Sequence, residues 1–288
     1  MIARSYAKIN LGIEVSGIRK DGFHEVKTLL QTIDLYDVLN FLPIEKDSIE
    51  LVGDDVSISW GKDNLIYRAA SLLKEKYKVS FGVRIKVKKN IPSGKGLGGG
   101  SSNAAISLFV LNELWGLKLS KSDLMGLGKI LGSDIPFFLE GGACLGEGRG
   151  DEITPLNDMN LFFCLLTMPD FSIMTREVYK RFQFDLTSKE KDSKIIQFLN
   201  TKEAFFLENS LEEIVFSLFP QLKAIKCLIQ SQGAELSLVT GTGSAVYGLF
   251  KDKKKAQDAL KEVEKKYSSC VVKTLGREEY WRKVKVGV

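Results

Sequence analysis

The sequence predicts an α+β protein folded as two units. One observation is the first half of the chain, where apolar, β-branched segments are interleaved with segments of helical periodicity. A second is the region after residue 157, where short strands and helices follow in the order expected of an antiparallel sheet with helices on it. The third is length: 288 residues suit one large domain or two modest ones, at ~100–200 residues each. The expected units are residues 1–156 and 157–288.

The elements can be justified in order. Ile9 to Val15 and Leu29 to Leu42 are rich in β-branched and apolar residues and read as strands. Asp63-Asn64 opens a helical pattern with Leu65, Ile66, Ala69, Leu72 and Leu73 on one face. Phe81, Val83, Ile85 and Val87 alternate with Gly, Arg and Lys, the signature of a half-buried strand. A glycine-rich loop follows, then an apolar helix to about Trp115. Ser120 to Asp123 forms a capping box for another helix ending near Leu131. Gly141 to Gly150 and the turn Pro155 to Asp158 read as the junction between the units. Beyond it come a buried strand (Leu161 to Met168) and helical segments between Thr175 and Gln232. Two short strands, Leu236 to Val239 and Ala245 to Phe250, flank Gly241-Thr242-Gly243-Ser244. A helix from Lys253 to Tyr267 and a strand from Cys270 to Leu275 are expected to close the chain.

Composition narrows the chemistry. With 44% hydrophobic and 27% charged residues the chain is an ordinary globule, neither disordered nor a disulfide scaffold. A single histidine, His24, excludes a two-His zinc motif and leaves one candidate for any Ser-His-Asp triad. The net charge of +5 includes no basic arm for nucleic acid, and Lys251 to Lys255 reads as a solvated helix face. Cys144, Cys164, Cys227 and Cys270 form no C-x-x-C and suit a reducing compartment. Met1 to Asn10 lacks the apolar core of a signal peptide, and no stretch approaches the ~18 apolar residues of a membrane helix. The expectation is a cytoplasmic protein without membrane or nucleic-acid partners.

The strongest signal is the loop Pro92-Ser93-Gly94-Lys95-Gly96-Leu97-Gly98-Gly99-Gly100-Ser101-Ser102, between a strand and a helix. Glycine lets a ligand approach the backbone, and a helix N-terminus offers unpaired N–H groups with a partial positive charge. Together they make a phosphate cradle, to which Lys95 adds a positive charge. Walker A fails because Lys95 precedes the glycine cluster. Gly94-x-Gly96-x-x-Gly99 fits the dinucleotide fingerprint, but the acidic residue required ~20 positions on is missing.

From Pro92 to Ala105 the loop resembles that of the GHMP small-molecule kinases throughout. Other segments resemble one branch of that family, the kinases of 4-diphosphocytidyl-2-C-methyl-D-erythritol. They are Tyr6-Ala7-Lys8-Ile9-Asn10-Leu11, Asp21-Gly22-Phe23-His24, Asn64-Leu65-Ile66, Leu131-Gly132-Ser133-Asp134-Ile135-Pro136-Phe137-Phe138 and Gly241-Thr242-Gly243-Ser244. The match runs in family order from Tyr6 to about Phe250. It implies an N-terminal ATP-binding domain with a left-handed βαβ unit like that of ribosomal proteins, and a ferredoxin-like α+β C-terminal domain. It implies ATP and Mg²⁺ as cofactors, a small-molecule substrate phosphorylated on its 2-hydroxyl, and a monomer or weak homodimer. Homoserine or mevalonate kinases, or a non-catalytic sensor of the same fold, are the alternatives.

The resemblance also assigns residues. Asp134 and Lys8 are the catalytic pair, base and charge partner, and an unpaired buried ammonium at Lys8 would otherwise be costly. Phe23 stacks on cytosine and His24 reads its edge; Tyr179 is the second aromatic wall, and Thr175 lies near the diphosphate. Asn10 meets the methylerythritol end. Asn64 lies near adenine, caps the following helix, or does both. The glycine loop, Pro92 to Ser102, holds the ATP phosphates, with Lys95 the departure from the small residue usual in the family. No metal ligand stands out in the sequence.

Overall fold

The computed structural model describes residues 1–159, 161–182 and 193–287. Two long strands, β1 (Ile2–Ile18) and β2 (His24–Ile44), form its spine. Both carry near-continuous apolar runs because both of their faces are covered. Their pairing register shifts between Tyr6 and Ala7, where the strand changes which neighbours it serves. Tyr6 joins a core built with helices, and Ala7 joins a core shared with a second sheet.

The first sheet runs β11-β1-β2-β4-β3, with β3 at Ile49–Gly53, β4 at Gly82–Lys88 and β11 at Lys285–Gly287. Its parallel pair, β3 and β4, is joined across α1 (Leu65–Tyr77), which is a βαβ unit. Asn64 caps α1, its Oδ1 accepting from Ile66 N at 2.9 Å. α2 (Gly99–Leu114), α3 (Lys121–Leu131) and α4 (Ile135–Glu140) complete this layer over Phe41, Leu39 and Ile85. The capping box at Ser120 and Asp123 starts α3 as the sequence indicates.

The second sheet runs β10-β7-β9-β8 and is antiparallel throughout. Its strands are β7 (Phe163–Thr167), β8 (Leu236–Val239), β9 (Val246–Phe250) and β10 (Ser269–Lys273). One core lies between the sheets, where Ile9, Leu29, Ile33 and Leu97 meet Leu166, Leu238 and Tyr247. Another lies under α7 (Glu212–Leu218), α8 (Pro220–Ser231) and α9 (Lys253–Val263). α9 buries Ala256, Ala259 and Val263 and leaves its lysines in water, the solvated face expected of that run. The second layer also contains α5 (Thr175–Arg181) and α6 (Lys194–Thr201); the expected helical stretch over 183–192 lies outside the described residues.

Two expectations are corrected. The glycine-rich stretch from 141 to 150 is no junction. It forms β5 (Ala143–Glu147), which pairs with β2 and with β6 (Glu152–Pro155) inside the first sheet. Gly141, Gly142, Gly148 and Gly150 mark the turns at the ends of a short strand rather than a linker. The chain also does not close at Leu275. α10 (Arg277–Val284) and β11 follow, and both return to the first unit. Tyr280 and Val284, one helical turn apart, enter the helix-covered core, and β11 pairs with β1. By pairing and packing, residues 275–287 go with the first sheet, which an expected unit of 157–288 leaves out.

Asp37 on β2 positions the start of the glycine loop. It is fully buried, accepts from Asn90 N at 2.7 Å and Ile91 N at 2.8 Å, and pairs with Lys89. Three donors thus hold the chain where it leaves β4. Asp37→Ala strands a buried ammonium and two N–H groups, an expected loss of about 3–5 kcal/mol. Calorimetry should show the thermal midpoint falling by roughly 10 °C; a midpoint within a degree or two of wild type would rule out this anchor.

Candidate active site

The loop after β4 folds as a cradle because its glycines adopt the left-handed region, with φ of +77° at Gly96 and +71° at Gly98. They also permit close approach. A Cβ on Gly96 would lie 2.1 Å from Thr240 O, and one on Gly98 would lie 2.8 Å from Phe138 Cζ. α2 then starts at Gly99 with no side-chain cap and no acidic residue in its first turn. Its first N–H groups lack intrahelical partners, and with the helix dipole they make this end of α2 suited to an anion.

Four cavities adjoin along this surface. One of 270 Å³ is lined by Trp60, Asn64, Ser93, Gly100 and Asn103. The next, of 290 Å³, runs along the loop from Pro92 to Ser101 with Lys89. They share Leu65, Lys89, Ser93 and Gly100. A third, of 260 Å³, meets the second at Gly96 and Gly98 and holds Lys8, Asn10, Asp134 and Thr175. The fourth, of 800 Å³, holds Phe23, His24, Ser101 and Lys180, and shares Asp134, Arg149, Thr175 and Tyr179 with the third.

Lys8 is 4% exposed, and its ammonium donates to Asn10 Oδ1 at 2.5 Å. Burial pushes its pKa down, and the charge of Asp134 opposes that shift. The expected direct ion pair with Asp134 is not formed: the two groups are not within 4.0 Å. They share a cavity instead, with Asn10 taking the ammonium's hydrogen bond. Asp134 occupies the N-cap position of α4 yet makes no capping bond. Among the described residues its carboxylate has no hydrogen bond or ion pair, so it faces the cavity uncommitted.

Asn10 is a hub. Its Oδ1 also accepts from Thr240 Oγ1 at 3.3 Å, and its Nδ2 donates to Thr28 Oγ1 at 2.8 Å. Its backbone N–H donates to Thr240 Oγ1 at 3.1 Å, and its carbonyl accepts from Tyr247 O–H at 2.9 Å. One Nδ2 hydrogen is left for a ligand.

The hairpin tip between β1 and β2 presents Phe23, 54% exposed, and His24. The His24 ring lies 4.9 Å from that of Tyr179, and its Nε2 is buried without a partner among the described residues. Burial lowers the His24 pKa, so the imidazole is neutral at pH 7. Burial pushes the half-buried Tyr179 phenol up to about 12. Thr175 Oγ1 lies 3.1 Å from Thr242 Oγ1, at the start of α5.

Two loop residues do not do what the sequence suggests. Lys95 turns away from the phosphate cradle. It is 8% exposed, and Nζ donates to Pro169 O at 2.5 Å and Phe171 O at 2.6 Å. A buried ammonium takes the nearest carbonyls, so Lys95 ties the loop to the segment leading into α5. Ser102 is fully buried, and its Oγ accepts from Ser5 Oγ at 2.7 Å, because this position of α2 faces the core. Leu97 packs in the core between the sheets, and its carbonyl accepts from Lys8 N at 3.0 Å. Asn64 does cap α1 and also lines the 270 Å³ cavity.

Sequence reasoning missed Asp37, Thr28, Thr240, Lys89 and Arg149. Arg149 carried a signal, as a lone arginine between Gly148 and Gly150, but the stretch read as a junction. Thr240 carried none, since its role arises only when β8 meets β1.

Comparison with known proteins agrees with this geometry. Residues 64–142 match the model of the GHMP kinases N terminal domain, and residues 194–269 match that of the GHMP kinases C terminal. The chain belongs to the GHMP kinase family. This kinase is 42% identical over 284 residues to 4-diphosphocytidyl-2-C-methyl-D-erythritol kinase of Thermodesulfovibrio yellowstonii, covering 96% of this chain and 98% of that one. It is 37% identical to the enzyme of that name from Clostridioides difficile, covering 93% of each. A crystal structure of 4-(cytidine 5'-diphospho)-2C-methyl-D-erythritol kinase superposes with a TM-score of 0.82 at 32% identity, covering 96% of this chain and 100% of that one. A homoserine kinase from Cytophaga hutchinsonii shares the fold, with a TM-score of 0.73 at 17% identity over 97% of this chain and 96% of that one. The two-domain α+β architecture of this GHMP kinase is therefore that of its relatives.

The position of Lys95 makes a prediction. Lys95→Met leaves Pro169 O without a donor and Phe171 O with Ser244 Oγ alone, and should lower the thermal midpoint by several degrees, at about 1–3 kcal/mol for the lost bonds. Nucleotide affinity by isothermal titration should stay within about threefold, less than the loss of one hydrogen bond to a charged group. A tenfold loss of nucleotide affinity with an unchanged midpoint would return Lys95 to the phosphates.

Proposed function

We propose that this kinase transfers the γ-phosphoryl group of ATP to the 2-hydroxyl of 4-diphosphocytidyl-2-C-methyl-D-erythritol. The observation that carries the reading is the order of the four cavities. A glycine cradle meets a small chamber with Lys8 and Asp134, and that chamber opens onto an aromatic cavity with Phe23, His24 and Tyr179. The donor nucleotide enters from one side and a ring-bearing acceptor from the other. Relatives that carry this name at 37% and 42% identity support the same reading.

Phosphoryl transfer asks mainly for positioning and charge stabilisation. In the proposed complex the N-terminus of α2 and the loop N–H groups hold the phosphates. Asn64 and Trp60 line the space for the base. Asp134, with no competing partner among the described residues, accepts the hydroxyl proton as the oxygen attacks phosphorus. Lys8 stabilises charge on the transferred group, while Asn10 fixes the ammonium and keeps one N–H for the acceptor. Phe23 and Tyr179 flank the cytosine, and His24, neutral at pH 7, offers Nε2 to its edge.

Mg²⁺ would neutralise charge between the phosphates. The residues present fit an ion held mainly by phosphate oxygens and water, to which the Ser101 hydroxyl at the start of α2 would be the protein's contribution. Among the described residues no cluster of three acidic, His or Cys groups forms a protein-only site. No described helix is long and apolar enough to cross a membrane, and none of the four cysteines is paired. Both are compatible with the cytoplasmic location we propose. The proposed folding units are residues 1–156 and 157–274, with the final segment returning to the first.

Two measurements test the reading. ADP release should be fastest with the cytidyl acceptor and slight with homoserine or mevalonate; the reverse order would overturn the assignment. Asp134→Asn should lower kcat by ~10²–10⁴ with nucleotide affinity nearly intact. Turnover at the wild-type rate would remove Asp134 as base.

A further inference from the structure

Lys8 keeps its hydrogen bond because Asn10 turns its oxygen, and not its nitrogen, toward the ammonium. The two ends of a carboxamide have nearly the same shape, so hydrogen-bond partners decide which end faces which neighbour. Thr28 of β2 fixes the choice at the nitrogen end. Its Oγ1 lies 2.9 Å from Gly12 O, which has no hydrogen to give, so the hydroxyl must donate there. A hydroxyl has one hydrogen, and toward Asn10 Thr28 can then only accept. The atom that donates to it at 2.8 Å is therefore Nδ2. Oδ1 is left on the other side, where Lys8 Nζ donates at 2.5 Å. Thr240 cannot settle the amide alone, since its one hydroxyl hydrogen faces two acceptors, Asn10 Oδ1 at 3.3 Å and Gly96 O at 3.2 Å. Thr28 is itself held. It is 5% exposed and pairs with Gly146 of β5, where a Cβ would lie 3.1 Å from the Thr28 methyl Cγ2. The glycine makes room for the methyl, and a β-branched side chain so packed has little freedom at χ1.

We propose that Thr28 is a positioning residue of the transfer step, which locks the Asn10 amide so that Lys8 stays charged in the chamber. The proposal rests on the reading of Lys8 as the cation that stabilises the transferred group. The ammonium alone draws Oδ1 toward it, but an amide held only there can swing, and Thr28 fixes the other end. Swung over, the amide would aim N–H groups at the ammonium and remove the one hydrogen bond Lys8 Nζ has among the described residues. An amide oxygen holds the proton on the amine, and an amide N–H drives it off. The other charged or titratable groups of the chamber are Asp134 before α4, Arg149 in the turn between β5 and β6, and Tyr179 on α5. Asp134 favours the ammonium. Arg149 stays charged, with its guanidinium carbon 5.1 Å from the centre of the Phe23 ring. Tyr179, pushed up to about 12 by burial, stays neutral in the range of interest. Burial already lowers the Lys8 pKa, so loss of the amide oxygen lowers it further and brings deprotonation to a lower pH.

The test is the pH dependence of kcat in Thr28→Val, which keeps the shape and loses the hydroxyl, beside Thr28→Ser, which keeps the hydroxyl. Thr28→Val should lower kcat about 10–100-fold, the range for a hydrogen bond to a charged group, with the KM for ATP within about threefold. Its rate should also begin to fall at a lower pH on the alkaline side, as Lys8 loses its proton earlier. Thr28→Ser should stay within about threefold of wild type with an unmoved profile, and Thr28→Ala serves if the Val variant does not fold. Equal losses in the Val and Ser variants would make Thr28 a packing residue only and overturn the proposal. A lower kcat with an unmoved alkaline limb would overturn it too, as would Thr28→Val at the wild-type rate. Lys8→Met separates this proposal from the reading beneath it. Slow turnover in Lys8→Met beside an unaffected Thr28→Val leaves the reading of Lys8 intact and overturns the role of Thr28 alone. Lys8→Met at the wild-type rate would overturn both.

Discussion

A lysine ammonium buried to 4% exposure at the centre of β1 is the constraint around which this molecule is arranged. Leaving it without oxygen partners would cost several kcal/mol. Asn10 answers it directly, and the charge of Asp134 answers it through space. Neither partner is local in a simple sense. Asn10 is held by Thr28 of β2 and by Thr240 beyond β8. Asp134 is carried to the chamber by the turn between α3 and α4. Three separate stretches of chain must therefore be in place before the ammonium is tolerable.

The same arrangement docks the two glycine-bearing loops on each other. Thr240 Oγ1 donates to Gly96 O at 3.2 Å, and Ala245 N donates to Lys95 O at 3.2 Å. Thr240 O sits where a side chain on Gly96 would be. The glycine loop is thus shaped partly by the second unit. Lys95 strengthens the link by bonding the carbonyls that lead into α5, the helix that carries Thr175 and Tyr179. The glycine loop and the aromatic cavity are fastened to one piece of backbone, which suits the proposed placing of two substrates in line.

The two units share more than a cleft. Ile9, Leu29 and Leu97 pack against Leu166, Leu238 and Tyr247, and the chain's last segment returns to pair with β1. An interface this apolar favours a fixed spacing between the cavities over large hinge motion. At the mouth of the cleft Phe23 and Arg149 remain partly in water.

Much of this was legible in the sequence because it is local. Caps, alternation and glycine spacing depend on neighbours a few positions away, and they placed α1 at Asn64, α3 at Ser120 and the cradle between β4 and α2. The motifs also marked Lys8, Asp134, Phe23, His24 and Tyr179, which the fold brings to adjoining cavities. Glycine at 141–150 misled, since the same residue serves a linker and a tight hairpin, and only pairing with β2 distinguishes them. The direction of Lys95, the burial of Ser102, the missing Lys8–Asp134 contact and the placing of Arg149 on Phe23 were decided by tertiary structure alone. Each depends on which carbonyl, hydroxyl or ring lies nearest once strands far apart in the chain are packed, and sequence spacing holds no record of that distance.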